Sequence, residues 1–444
     1  MTFNLFILIS FMFYQDVYAD GDSNRMYTLE ESVREALAKN WTVKAKEEKI
    51  EESQFTMKAA KTDLYPTFST TYGYTRLNEV QETEGSTITL PGPTVINIPG
   101  RELNALDNFQ WKGTVTQPIF TGFALTSAYE LAKLGIDVSE LDLELEKLDL
   151  ALQVKEAYFN ILGADKAVNV AKSAVESLES HLKVARNFYE VGMIPINDLL
   201  KAEVELANAQ NDLFKAENAS KLARVSFSVL LSRPVDTNVQ VEDILVYTPE
   251  FPDYDAYLKK ALTNRPELKT IDINSRQIDE QVKLAKSKYY PDIALTYSYV
   301  KEGDQLDVSG SEFHDSDSWQ ATVGLSWTFW NWGKTGYSVR QNESRKKQLM
   351  QTRKALEDGI KLELRKAILD LQEAEVSIPT AKKAVEQAEE NLRVSEERYK
   401  AQVTTSTEVL DAQTLLSQAR VNYYTALYTH NLAKAGLLRA IGDY

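Results

Sequence analysis

The feature that most limits what this chain can fold into is an internal repeat of very long period. Ala36-Leu37 recurs as Ala261-Leu262 and Tyr65-Pro66 as Tyr290-Pro291, each 225 positions further on. Later in the chain Tyr189, Leu200 and Ala202 recur as Tyr399, Leu410 and Ala412, now 210 positions on. Chance similarity does not keep register over such lengths, and a period above 200 residues is far too long for a stacked solenoid. The sequence therefore reads as a tandem duplication, with residues 20–232 the first structural repeat, 233–253 an inter-repeat linker at an equatorial level, and 254–444 the second repeat. The change of offset requires a longer insertion in the first copy. It falls between Tyr74 and Trp111, where Pro91-Gly92-Pro93 and Pro99-Gly100 predict a loop, against a shorter Gly/Ser/Asp-rich segment around 303–318 in the second copy.

Four segments alternate with period two. Phe68, Thr70, Tyr72 and Tyr74 make the first and Phe109, Trp111, Gly113 and Val115 the second. Ile293, Leu295, Tyr297 and Tyr299 make the third, and the fourth runs from Trp319 through Ala321, Val323, Leu325 and Trp327 to Phe329. The residues between are mostly Thr, Ser, Gly, Gln and Lys. A strand of about ten residues, at about 3.3 Å per residue and a 45° tilt, crosses roughly 25 Å of hydrocarbon. A soluble sheet with one apolar face alternates in the same way. The loop pattern and an apolar amino-terminal stretch favour lipid, so Phe68, Tyr72, Trp111, Leu295, Tyr297, Trp319 and Trp327 are the expected lipid face. Four strands cannot close a barrel, since about eight is the smallest number that encloses filled space. Open strand edges in lipid force chains to share one barrel, eight strands from two copies or twelve from three.

The first residues, Phe3 to Tyr14, have the length of a signal-peptide apolar core, and Val17-Tyr18-Ala19 offers small residues for cleavage, so residues 1–19 are expected to be a signal peptide. Beyond Ala19 no window approaches the roughly 18 apolar residues of a membrane-spanning helix.

Between Ala124 and Phe188, and between Thr335 and Arg398, no Gly-Pro punctuation interrupts a Leu, Ala, Glu, Lys and Gln-rich run. As one helix each would be about 95 Å long at 1.5 Å per residue. Packing seams support them. Leu199, Ala202, Leu206, Ala209, Leu213 and Ala216 follow a 3-4 spacing that Val409, Ala412, Leu416, Ala419, Tyr423 and Ala426 repeat. The ascending helices carry Ala171, Val175, Leu178, Leu182 and Ala185, and Ala381, Val385, Ala388, Leu392 and Ser395. Short turns at 191–197 and 401–407 close two long helical hairpins. Helices of roughly 35 residues are expected from Leu29 into Pro66 and from Tyr254 into Pro291, and Pro379 should bend or break its helix.

Composition removes whole classes of function. A net charge of −15 disfavours nucleic acid and anionic membrane surfaces. The absence of cysteine removes disulfides, thiolate zinc sites, thiol catalysis and a lipidated-cysteine anchor. His181, His314 and His430 are scattered, and Glu312 to Asp317 reads as a solvated outer loop. With no nucleophile, base or metal set, and no phosphate-binding Gly-rich loop, the reading is neither an enzyme nor a self-powered pump, and no cofactor is expected.

The strings Ala36-Leu37 with Asn40, Leu64-Tyr65-Pro66, Gln117 to Gly122, and Tyr189-Glu190-Val191-Gly192 followed by Asp198 to Glu203 carry a resemblance in the first copy. Asn264 to Leu268, Tyr289-Tyr290-Pro291, Trp327 to Gly333 and Glu408 to Gln413 carry it in the second. In order, spacing and duplication the sequence resembles the TolC-like outer-membrane efflux family (outer membrane factors) over nearly its whole length. The resemblance implies a mixed α and β membrane protein. Three chains would form a homotrimer whose 12-stranded transmembrane β-barrel, four strands per chain, is continuous with a long α-helical periplasmic barrel. It implies a passive channel in the outer membrane of a Gram-negative bacterium, with most of the helical mass in the periplasm. Its partners would be outer-membrane lipid, a periplasmic adaptor (membrane fusion protein) and an inner-membrane pump of the resistance-nodulation-division or ABC type.

The same resemblance places the aperture and the adaptor docking surface at the helical turns. Asp198, Glu408 and Asp411 match its acidic positions, Tyr399 is kept, and Thr404 stands where better-known relatives have a basic residue that locks the aperture. The docking turns would then present Gly192, Met193, Pro195, Gln402, Val403 and Thr405, with Gln402 in place of the usual Gly. A salt-bridge lock does not carry over to this chain. Asp198 and Glu408 also satisfy a helix N-terminus simply as carboxylates, and turns of this kind also occur with no role beyond capping. The alternatives are a stand-alone porin, which leaves the paired helices without a reason, and a periplasmic coiled-coil structural protein, which leaves the strands without one.

Overall fold

A computed structural model describes residues 26–237, 239–313 and 315–444. The expected signal segment, residues 1–19, and His314 lie outside the described residues. In chain order the elements are β1 (Met26–Tyr27), α1 (Leu29–Lys39), α2 (Trp41–Thr62), β2 (Thr67–Arg76), β3 (Ser86–Thr89), β4 (Val95–Ile98), β5 (Asp107–Thr121), α3 (Ala124–Glu190) and α4 (Ile196–Leu230). There follow β6 (Gln240–Val241), α5 (Tyr254–Asn264), α6 (Pro266–Ser287), β7 (Asp292–Gly303), β8 (Asp317–Ser326), α7 (Lys334–Lys400) and α8 (Ser406–Ala440). The fold is mixed α and β and rich in helix. Helices match in length across the chain: α1 and α5 have 11 residues, α2 and α6 have 22, α3 and α7 have 67, and α4 and α8 have 35.

The chain forms two compact units. The first takes in the described residues up to Lys44 with Glu146–Arg265 and Gly359–Tyr444, and the second takes in Ala45–Leu145 and Pro266–Asp358.

The second unit is built on an antiparallel sheet in the order β2-β5-β7-β8, with β2 and β8 at its edges. Residues directly opposite one another share a face and successive residues alternate, so the register sorts the side chains. Phe68 lies opposite Val115 and Tyr72 opposite Trp111, Val115 opposite Tyr297 and Gln117 opposite Leu295, and Tyr299 opposite Trp319. Phe68, Tyr72, Trp111, Leu295, Tyr297 and Trp319 therefore occupy one face. Its rings pack on each other, Tyr74 on Phe109 at 4.7 Å between centroids and Tyr297 on Trp319 at 6.1 Å. The other face is mostly polar: Ser69 lies opposite Thr114, Thr116 opposite Thr296, Ser298 opposite Gln320 and Gln110 opposite Glu302, with Val300, opposite Lys112, and Ala294 apolar among them.

Two expectations for this unit are corrected. β8 ends at Ser326, so Trp327 and Phe329 lie beyond it. Ser326 pairs with Asp292, the first residue of β7, and Pro291 before it has no N–H to extend the ladder. The Trp327 indole instead donates to the Tyr289 carbonyl at 3.1 Å. The insertion after β2 is not all loop. β3 and β4 pair as a hairpin with Pro91-Gly92-Pro93 at its turn, and Ile88 opposite Ile96 on one face.

The recurring sequence strings meet where strand becomes helix. Gln117 donates to the Leu64 carbonyl at 3.0 Å, tying the end of β5 to the Leu64-Tyr65-Pro66 segment. Gly122, between β5 and α3, holds φ +59°, and a Cβ there would press into the Ser287 carbonyl. Laterally, Ser53 of α2 bonds Ser139 of α3 at 2.7 Å, and Lys346 of α7 donates to Asp279 of α6 at 2.6 Å.

In the first unit β1 and β6 form a short parallel pair. The buried Tyr158 hydroxyl of α3 bonds the carbonyls of Tyr27 and Glu242 at 3.0 and 2.8 Å, fastening both to the helices. The two helices expected to run about 35 residues are each broken. Arg265 lies between α5 and α6 with φ −60° and ψ 123°, the extended backbone that Pro266 imposes on its predecessor. Asn40, between α1 and α2, has nearly the same backbone, φ −61° and ψ 137°, by a different device. Its Oδ1 accepts from the Thr42 N–H at 2.8 Å, and its Nδ2 donates to the Leu230 carbonyl at 2.8 Å. Pro379, by contrast, breaks nothing: α7 continues through it. Ala374 and Ile378 are buried in the helix packing around it, which offsets the lost hydrogen bond.

Gly122→Ala should destabilise the protein by at least about 1 kcal/mol, because the left-handed backbone and the Ser287 contact both oppose a Cβ. Thermal unfolding in detergent, followed by circular dichroism, measures it; an unchanged midpoint would contradict the junction described.

Candidate functional site

The two helical turns of the first unit are built alike. α3 ends at Glu190, and Gly192 reverses the chain with φ +74°, while Met193 N–H returns to the Phe188 carbonyl at 2.8 Å. α7 ends at Lys400, Val403 N–H returns to the Arg398 carbonyl at 2.9 Å, and the left-handed residue is Gln402, at φ 60°. A non-glycine residue in that conformation is disfavoured. Gln402 has a local compensation, its amide donating to the Met193 thioether of the other turn. The helices that follow begin after Pro195 and Thr405, and neither side chain makes a cap hydrogen bond. The capping expected of the turns is therefore left to the backbone.

The predicted aperture residues divide. Asp198, in the first turn of α4, and Asp411 of α8 line one groove of about 730 Å³ with Pro195, Lys201 and Thr407. The Lys201 ammonium reaches Thr407 Oγ1 at 3.4 Å. Glu408 is drawn elsewhere, to Arg398 at 3.6 Å, with both side chains about half exposed. A pair so solvated contributes little. Thr404 Oγ1 is buried without a hydrogen-bond partner among the described residues. Gly192, Met193, Pro195, Gln402, Val403 and Thr405 are all exposed, with Val191 and Ile196 adding apolar surface beside them.

Tyr399 is buried, against expectation for a residue lining an aperture. Its ring lies between His181, 4.9 Å between centroids, and Phe188 at 5.6 Å. Burial pushes its hydroxyl pKa up, and the charge of Asp198 adds to that. These rings continue into a core of Leu392, Val409, Ala412 and Leu416, joined by Val184 and Val385.

His181 is the residue that reading the sequence missed. Its Nε2 bonds Ser406 Oγ at 2.7 Å, with both side chains buried. The signal was present: Val175, Leu178, His181 and Ala185 form a 3-4 stripe along α3, and all four are buried. His430 is also buried, its ring edge-on to Tyr247 at 5.3 Å and both nitrogens without a partner among the described residues. No group of acidic or histidine side chains among the described residues is arranged to hold a metal ion, and no helix among them is long and apolar enough to cross a membrane.

A family model described as outer membrane efflux protein matches residues 32–232 and 257–443. The chain belongs to the outer membrane efflux protein family. It is 22% identical to the outer membrane protein TolC of Escherichia coli over 343 residues, 74% of this chain and 68% of that protein. It is 23% identical to the cobalt-zinc-cadmium resistance protein CzcC of Cupriavidus metallidurans, over 78% of this chain and 81% of that one. Among solved structures, the CmeC outer membrane channel of Campylobacter jejuni superposes with a TM-score of 0.76 at 18% identity, covering 93% of this chain and 85% of CmeC. Members of this family are outer-membrane channels and not enzymes, and the chain is an outer-membrane efflux channel protein.

Burial lowers the His181 pKa from 6.5 to about 4. Unfolded, the imidazole takes a proton below about pH 6.5; folded, it resists until about pH 4. Stability is therefore fully present above pH 6.5 and is lost as pH falls through that window, by up to about 3 kcal/mol. Thermal unfolding between pH 7 and pH 4 should show a steeper loss for the wild type than for His181→Phe; parallel curves would contradict it.

Proposed function

We propose that three copies of this chain form a passive duct through the outer membrane of a Gram-negative bacterium. The duct carries substrates delivered by an inner-membrane pump of the resistance-nodulation-division or ABC type, through a periplasmic adaptor. The single observation that carries this reading is the β2-β5-β7-β8 sheet. It has one aromatic and aliphatic face, one face mostly of hydroxyls and amides, and two edges that no strand pairs among the described residues. In hydrocarbon every backbone N–H and C=O needs a partner, so the edges must be met by other copies. Three copies give twelve strands, with Phe68, Tyr72, Trp111, Leu295, Tyr297 and Trp319 toward lipid and the polar face toward a water-filled lumen. Trp327 sits just past the ladder, a position suited to an interfacial aromatic.

The helical mass lies in the periplasm on this reading. The matched helix lengths support two structural repeats, 20–232 and 254–444, joined through 233–253 after a signal peptide at 1–19. The turns form the aperture. Asp198 and Asp411 share a groove there, and threefold repetition multiplies their charge near one axis, favouring cations. Glu408 contributes less, because Arg398 partly neutralises it. Gly192, Met193, Pro195, Gln402, Val403 and Thr405 form the adaptor docking surface, supported by the exposed apolar side chains around them. With Thr404 in place of a basic residue, closure does not use a salt bridge at that position.

Cross-linking in intact cells should recover the trimer with an adaptor and an inner-membrane pump; a lone trimer with constitutively open conductance would favour a porin. In planar bilayers under a salt gradient, Asp411→Asn should reduce cation selectivity more than Glu408→Gln. Unchanged reversal potentials in both variants would remove these carboxylates from the filter.

A further inference from the structure

Among the described residues, three side-chain hydrogen bonds join the two helical hairpins where their turns lie. Two are exposed, Gln402 to Met193 and Lys201 to Thr407. Contacts open to water hold two long side chains weakly. The third is different in kind. His181 is 7% exposed and Ser406 is 0% exposed, and they meet at 2.7 Å. A buried hydrogen bond is expensive to break, because each partner is left without water to replace it.

Its position gives it leverage. Ser406 is the first residue of α8, directly after the second turn, and Thr405 before it makes no side-chain cap. His181 sits in α3 of the first hairpin, more than two helical turns before Glu190. The same imidazole is also the surface on which Tyr399, just before the second turn, packs. One side chain therefore holds both ends of the second turn, bonding to the residue after it and packing against the residue before it.

We propose that His181 is a positioning residue of the aperture, a latch that keeps the second turn in its closed arrangement through Ser406 and Tyr399. The latch rests on the reading of 191–197 and 401–407 as the aperture. It replaces a charged lock with a neutral, buried one, and it accounts for the tolerance of Thr404 where a basic residue would otherwise stand.

The test is single-channel conductance of the purified full-length protein in planar bilayers. His181→Phe keeps an aromatic ring against Tyr399 but cannot bond Ser406, Ser406→Ala removes the other partner, and His181→Gln restores a hydrogen-bonding group. His181→Phe and Ser406→Ala should each raise resting conductance about two- to tenfold, the range one buried hydrogen bond supports. The double variant should exceed neither single one, because both remove the same bond. His181→Gln should return toward wild type, which a merely structural role for ring volume would not produce. The chain has no cysteine, so Gln402→Cys can be labelled at that site alone with a bulky polyethylene glycol maleimide, which should reduce conductance in both the wild-type and His181→Phe backgrounds. If the label blocks while His181→Phe and Ser406→Ala conduct as wild type, or if His181→Gln conducts as much as His181→Phe, the latch is overturned and the aperture reading survives. If the label changes nothing in either background, the aperture reading falls and the latch with it.

Discussion

The four-stranded sheet, whose two edges no strand pairs among the described residues, is the constraint on which the rest depends. One face of β2, β5, β7 and β8 is aromatic and aliphatic and the other mostly hydroxyl and amide, so in the outer membrane that this family occupies the sheet cannot stand alone with open edges in lipid. In the proposed duct its edges are met by other copies of the chain. The helices inherit that requirement, because each strand of the sheet adjoins a helix in sequence: α2 before β2, α3 after β5, α6 before β7 and α7 after β8. Gly122, with φ +59° beneath the Ser287 carbonyl, and Gln117, bonded to the Leu64 carbonyl, hold these transitions where the sheet needs them.

Much of this architecture was legible in the residues because it rests on periodicity. Period-two alternation located all four strands, and the absence of Gly-Pro punctuation located α3 and α7 almost to their ends. Failures came where one residue or one missing partner decides the outcome. The breaks at Asn40 and Arg265 look unlike in sequence, an Asx bond in one case and a following proline in the other, yet they give nearly the same backbone. β8 stops at Ser326 because Pro291, the next residue of its neighbour, has no N–H to offer, which no property of Trp327 itself reveals. The hairpin of β3 and β4 sits in a Pro/Gly-rich insertion, where turn residues hid two short strands.

The candidate site was legible only in outline. Family-matched positions identified the turns, and Asp198 and Asp411 do share a groove. Tyr399, kept from the family pattern, turns inward onto His181 and Phe188, and Glu408 is taken up by Arg398. His181 was passed over because a lone histidine reads as scattered until its place on the buried stripe of α3 is noticed. Burial sets its proton affinity, and burial is a property of packing that the residue type does not carry.

The polar face of the sheet has one more implication. Its residues are mostly short hydroxyls and amides, Ser69, Thr71, Thr114, Thr116, Thr296, Ser298, Gln320 and Thr322, with Ala294 and Val300 apolar among them and Asp292, Lys112 and Glu302 charged. Such a wall offers hydrogen bonds much like those of bulk water and presents neither a strong field nor a greasy pocket. Where this face lines the lumen of the proposed duct, a solute crossing it exchanges one aqueous environment for another, and the strand region is chemically indifferent to what passes. Selection for a new cargo would then leave these strands untouched and act at the turns, or in whatever protein feeds them.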